Sequence, residues 1–99
     1  MSIVIRAAIC QDATAIARLI EQVFGDDAHP QQIAAVLAED DHATFAAYQG
    51  NAVVGFVDGF LTLDQNGQRR WELDLLAVGA GARGQGVGKA LIRQSTNAG

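Results

Sequence analysis

The chain has one cysteine, few aromatic residues and a deficit of basic charge, and each shortage narrows what it can be. Cys10 is the only cysteine in 99 residues. No internal disulfide can form, and a reducing cytoplasm is the expected compartment. A lone small cysteine just ahead of a helix reads as packing rather than as a nucleophile. His29 and His42, the two histidines, lack the paired spacing of a metal site and read as surface or loop residues. Seven Lys and Arg against eleven Asp and Glu leave a net charge of −4 and a pI near 4.8. That balance argues against general nucleic-acid binding. No apolar run approaches the ~18 residues of a membrane span. The opening Met-Ser-Ile-Val-Ile-Arg has no basic region followed by an apolar stretch, so no signal peptide is expected.

What is present is a globular composition, 49% apolar and 18% charged, in a length that suits one small domain over residues 1–99. Ile3-Val4-Ile5-Arg6 is short and β-branched, a first strand. Asp12 is a plausible N-cap for a helix from Ala13 through Phe24, with Ile16, Leu19, Ile20 and Val23 at helical spacing and Gly25 at its end. Pro30 suits the first turn of a second, short helix over Gln31 to Glu39, with Ile33, Val36 and Leu37 on one face. Its acidic end, Glu39-Asp40-Asp41, reads as a solvated helix end, or as an attraction for an amine. Ala43 to Gln49 and Ala52 to Leu63 read as strands around a Gly50-Asn51 turn. Gly55 and Gly59 in the second of them suggest a bulge or a close backbone approach. Phe45, Tyr48, Phe56, Phe60 and Trp71 supply aromatic core mass. The order β-α-α-β-β-β-α, with the middle strands an antiparallel meander, predicts an α+β fold.

Residues 71 to 92 hold most of the functional information. Trp71 to Val78 is an apolar strand interrupted only by Glu72 and Asp74, which share one face under strict alternation. Gly79, Gly81, Gly84, Gly86 and Gly88 follow in quick succession, and then Lys89-Ala90-Leu91-Ile92 suits a helix. Glycines between a strand and a helix let the backbone turn its N–H groups toward an anion. The helix start adds unpaired N–H groups and the positive end of its dipole. Together these make a phosphate or pyrophosphate site, and Arg83 adds a forked cation at its edge. A Walker loop is excluded because Ala90 stands where a hydroxyl should follow Gly88-Lys89. A dinucleotide fingerprint is fitted only formally by Gly79 to Gly84, since the acidic residue about 20 positions on is missing. A plain tight connection would need one or two glycines, not five and an arginine.

Arg83-Gly84-Gln85-Gly86-Val87-Gly88, preceded by Leu76-Ala77-Val78, closely resembles the acetyl-CoA loop of the GNAT superfamily of N-acetyltransferases. The resemblance implies the GNAT-like acyltransferase fold, with acetyl-CoA as co-substrate. Carried over by position, Arg83, Gly84, Gln85, Gly86, Val87, Gly88 and Lys89 form the pyrophosphate cradle. Leu76 and Val78 offer backbone groups to the pantetheine arm. Asp74 matches the place of the family's general base, with Glu72 second. Each carboxylate equally fits a bland role, paired with Arg69 or Arg70 or facing solvent. Gly79-Ala80-Gly81-Ala82 departs from the family's usual loop start, which changes loop stiffness but not the amide cradle. Tyr48 does not match the tyrosine often proposed as general acid.

The resemblance covers the N-terminal half to two-thirds of a typical domain, without the usual C-terminal strands and helix. The fourth strand would then have an open edge, which invites a homodimer or further chain to pair with it. The implied activity is acetyl transfer from acetyl-CoA to a primary amine of a small molecule or peptide. The alternative is a non-catalytic acetyl-CoA-binding or regulatory module.

Overall fold

The structure is a computed structural model and describes residues 2–40 and 42–98. Asp41, the last of the acidic run after the second helix, lies outside the described residues.

β-Branched and apolar residues on both faces make the hairpin strands the centre of the molecule. Strand β1 (Val4–Ala7) pairs with β2 (His42–Gln49), β2 with β3 (Ala52–Leu63), and β3 with β4 (Arg69–Val78). All three pairings are antiparallel, in the order β1-β2-β3-β4. Helices α1 (Ala13–Phe24) and α2 (Pro30–Leu37) cover one face, and α3 (Val87–Ala98) covers the other. Neighbouring strand residues point to opposite sides. Ala46 and Phe56 therefore pack with Ile16 and Leu19, while Ala47 and Val57 pack with Val87 and Leu91. Phe56, Ile16, Val57 and Leu91 are each fully buried, worth roughly 1.5–3 kcal/mol apiece.

The α1 terminus follows the sequence expectation. Gly25 adopts φ +74°, and its N–H donates to Glu21 O at 2.9 Å, so the left-handed cap falls where glycine allows it. The helix start differs. Asp12 occupies the N-cap position of α1 without capping it. Its Oδ2 instead accepts from the Ile9 N–H at 2.9 Å, closing a 3-10 turn over Cys10–Asp12. Cys10 is exposed on that turn rather than packed.

Both central glycines of β3 are close approaches, as the sequence suggests. A Cβ on Gly59 would lie 2.2 Å from the Trp71 ring, so the indole can lie on the sheet only over a glycine. A Cβ on Gly55 would press on Ala77 O, Val87 and Leu91 at 3.2–3.3 Å, where α3 sits closest to the sheet. Two register shifts complete the sheet. One falls between Ala47 and Tyr48 of β2. The other leaves Asp74 unpaired, since Gly59 faces Leu73 and Asp58 faces Leu75. The alternation read from Trp71 to Val78 is therefore interrupted at Asp74.

Candidate functional site

At the C-terminal end of β4 the chain leaves the sheet, makes a 3-10 turn over Ala80–Ala82 and enters α3 at Val87. Ala82 is buried against Val87 and Leu91, which pins the turn to the α3 layer. The Gly79 N–H donates to Val54 O at 2.8 Å, so the loop leaves from a fixed point. Gly84 and Gly86 adopt φ +82° and +76°, a region that side chains disfavour by roughly 1–2 kcal/mol. Nothing lies within 4 Å of a Cβ built on Gly81, Gly84 or Gly86. Gly84 and Gly86 are demanded by backbone conformation, and the loop faces open space. The first intrahelical bond of α3 is Ala90 N–H to Gly86 O at 3.0 Å. The N–H groups of Val87, Gly88 and Lys89 precede it and belong to the unpaired helix start.

A depression of about 390 Å³ lies over this loop, lined by Val78, Arg83, Gly84, Gly86, Gly88 and Lys89 among others. Arg83 Nε donates to Val78 O at 3.2 Å, which steers the guanidinium back across the strand end. That bond also occupies one of the backbone groups assigned to the pantetheine arm. Gln85 Nε2 donates to Gly81 O at 3.3 Å and braces the loop across its width. Leu76 lies partly buried on the α3 side of β4, one step before Ala77 and two before Val78.

The two strand carboxylates occupy different settings. Glu72 faces Phe60 across the ladder, whereas Asp74 is the additional residue between Leu73 and Leu75. Both are exposed. Neither forms an ion pair or side-chain hydrogen bond with Arg69, Arg70 or any other described residue.

On the opposite face of the sheet, a cleft of about 250 Å³ separates α1 and α2 from the strands. Its walls are aliphatic and aromatic, including Ile16, Ile20, Ile33, Phe56 and Leu75, with Thr44 and Asp58 at the sheet. Thr44 Oγ1 donates to Asp58 Oδ1 at 2.7 Å, and His42 Nδ1 lies 3.3 Å from the same oxygen. His42 Nε2 lies 3.2 Å from Glu39 Oε2.

A family model for the acetyltransferase (GNAT) family matches residues 8–98. The chain belongs to the GNAT family. Solved structures agree on the fold. A ribosomal-protein-alanine N-acetyltransferase from Brucella melitensis biovar Abortus 2308 superposes with TM-score 0.82 at 23% identity, over 97% of this chain and 70% of that one. An aminoglycoside acetyltransferase from an uncultured soil metagenomic sample gives 0.83 at 21% identity, over 96% and 68%. An acetyltransferase from Trypanosoma brucei gives 0.82 at 16%, over 98% and 74%. No curated protein sequence matches the chain.

The GNAT loop fits the anionic end of acetyl-CoA in kind. It combines positive-φ glycines, open space in front of them, a free helix start and the cations Arg83 and Lys89. Sequence reading overlooked the Asp58 cluster, and it misplaced His42. That histidine is the first residue of β2, with a side chain 19% exposed and bracketed by two carboxylates, not a loop residue. The cue lay in Thr44 and Asp58, polar residues inside otherwise apolar strands. Tyr48 sits away from both regions. Its hydroxyl donates to Asp12, and Arg6 stacks 4.0 Å above its ring centroid.

Proposed function

We propose that this GNAT protein transfers the acetyl group of acetyl-CoA to a primary amine of a small molecule or peptide. The observation that supports this most strongly is the loop after β4, where Gly84 and Gly86 take left-handed conformations beside the open start of α3. Acetyl-CoA supplies the activated thioester when bound. Arg83 and Lys89 meet the pyrophosphate charge, and the N–H groups from Gly84 to Lys89 donate to its oxygens. Leu76 and Val78 line the path of the pantetheine arm along β4. An ammonium acceptor must lose a proton before it can attack, and Asp74, with Glu72 second, is the strand carboxylate assigned to take it. Asp74 stands at the bulge, where the ladder is interrupted, so its neighbouring backbone is less committed to sheet bonds. The single cysteine supports a reducing, cytoplasmic setting. Among the described residues no helix is long and apolar enough to cross a membrane.

One observation favours a second reading, an acetyl-CoA-binding module without turnover. The sole tyrosine is held by Asp12 and Arg6 on the β1–β2 side, so no tyrosine hydroxyl is placed to protonate a leaving thiolate. Release of free coenzyme A thiol from acetyl-CoA with mixed primary amines separates the readings. Turnover that falls at least about a hundredfold in Asp74→Ala, the low end for a general base, with acetyl-CoA affinity intact, supports the enzyme and its base. Binding without any turnover supports the module, and an unaltered Asp74→Ala variant removes Asp74 from its role.

A further inference from the structure

The cleft beneath α1 and α2 is lined mostly by apolar side chains, with Gln32 on α2 and Thr44 and Asp58 at the sheet, and among the described residues Asp58 has no lysine or arginine partner. Asp58 is only 9% exposed. A carboxylate this deep needs hydrogen bonds or an opposite charge. Oδ1 has both contacts recorded for the group, the Thr44 hydroxyl at 2.7 Å and His42 Nδ1 at 3.3 Å. Oδ2 accepts no hydrogen bond from a described residue. It is not sealed away either, because Trp71 Nε1 is the only fully buried, unpartnered side-chain nitrogen or oxygen among those residues. The second oxygen is therefore not fully buried, and Asp58 is one of the residues that line the cleft.

We propose that Asp58 receives the ammonium group of the acceptor, and that the acceptor is a primary amine carried on an aliphatic or aromatic body. Thr44 and His42 hold the carboxylate in place, with Glu39 holding His42 from its other nitrogen. Ile16, Ile20, Ile33 and Leu75 enclose the apolar body. Charge complementarity selects a cation over an anion, and the mostly apolar walls, with Gln32 the one polar side chain on the helix side, disfavour a heavily hydroxylated amine, most of whose polar groups would lose water without gaining partners. Leu75 faces Asp58 on the ladder on the α1–α2 side of the sheet, and Val78, three residues and roughly 10 Å further along the strand, lies on the α3 side at the loop after β4. That the amine is an acyl acceptor rests on the acetyltransferase reading above; its seating on Asp58 does not.

The test titrates hexylamine, and separately hexanol as its uncharged equivalent, into the whole chain while following the isoleucine and leucine methyl resonances. Hexylamine should move the signals of Ile16, Ile20, Ile33 and Leu75 and bind about tenfold or more tightly than hexanol, the margin of one charge-assisted contact. Asp58→Asn should reduce hexylamine to the level of the alcohol and leave acetyl-CoA affinity unchanged. Equal binding of the two probes, shifts confined to other residues, no hexylamine binding, or an indifferent Asp58→Asn variant would each overturn the proposal. If Asp58→Asn does not fold, the two probes on the unmodified chain decide alone. A parallel acetyl-CoA titration keeps the two readings apart. Hexylamine on Asp58 with no acetyl-CoA binding would leave the amine site standing and remove the transferase.

Discussion

Tyr48 is where single-residue chemistry is most exposed to measurement. Burial, reinforced by the hydrogen bond to the Asp12 carboxylate and by its charge, pushes the phenol from 10.0 up to about 12. The neutral phenol is thus favoured by folding. Its stabilisation is present in full below about pH 10 and is lost as pH rises toward 12, a span worth about 2–3 kcal/mol. Unfolding free energies measured across that range should fall in the native chain, and the fall should shrink in Tyr48→Phe. A tyrosinate absorbance midpoint at the ordinary value would contradict this account. At neutral pH, Tyr48→Phe should cost about 1–3 kcal/mol by denaturant titration, because Asp12 loses a buried donor. The loop glycines give a contrasting prediction. Gly84→Ala meets no atom within 4 Å, so its cost comes from backbone conformation alone, about 1–2 kcal/mol in the same measurement.

Between elements, the sheet depends on one glycine lying under one indole. Gly59→Ala should destabilise strongly, since its Cβ would stand 2.2 Å from Trp71. In a Trp71→Ala background the same change should cost much less. Denaturant midpoints over this double-mutant cycle should show a coupling of about 1–3 kcal/mol, and additive effects would contradict the contact. The same strands show what a sequence reveals and what it withholds. Gly25, the Gly50-Asn51 turn and the loop from Gly79 to Gly88 are local signals, legible because glycine marks its own backbone need. The Asp58 cluster depends on register. The turn pairs Gln49 with Ala52 and Tyr48 with Val53, a pattern that would bring Thr44 opposite Val57 if it continued. The bulge after Ala47 slips the ladder by one residue and brings Thr44 opposite Asp58. A one-residue slip exchanges the two faces; Gly55, which faces Ala47 beside the shift, hints at a bulge, but its residue type does not say how the ladder continues beyond it, so the pairing of Thr44 with Asp58 stayed hidden. Asp74 was affected likewise: its residue type and position were readable, but not its place outside the ladder.

At the scale of the molecule, β4 is a ten-residue edge strand. Leu73 on it is 49% exposed. Among the described residues its outer edge has no partner strand, an edge of that length is a template for another chain, and we propose that a second copy pairs with it. Sedimentation should show a concentration-dependent dimer, weakened by Leu73→Lys, whereas a monomer at all concentrations would refute the pairing. The central claim, however, concerns the loop beyond that strand. Calorimetric titration of acetyl-CoA into the chain, beside an Arg83→Ala, Gly86→Ala variant, tests it most directly. Loss of the Arg83 contact alone is worth ~1.5–3 kcal/mol. The account predicts saturable binding that weakens about tenfold or more in the variant. Binding of equal strength in both chains, or none in either, would contradict it.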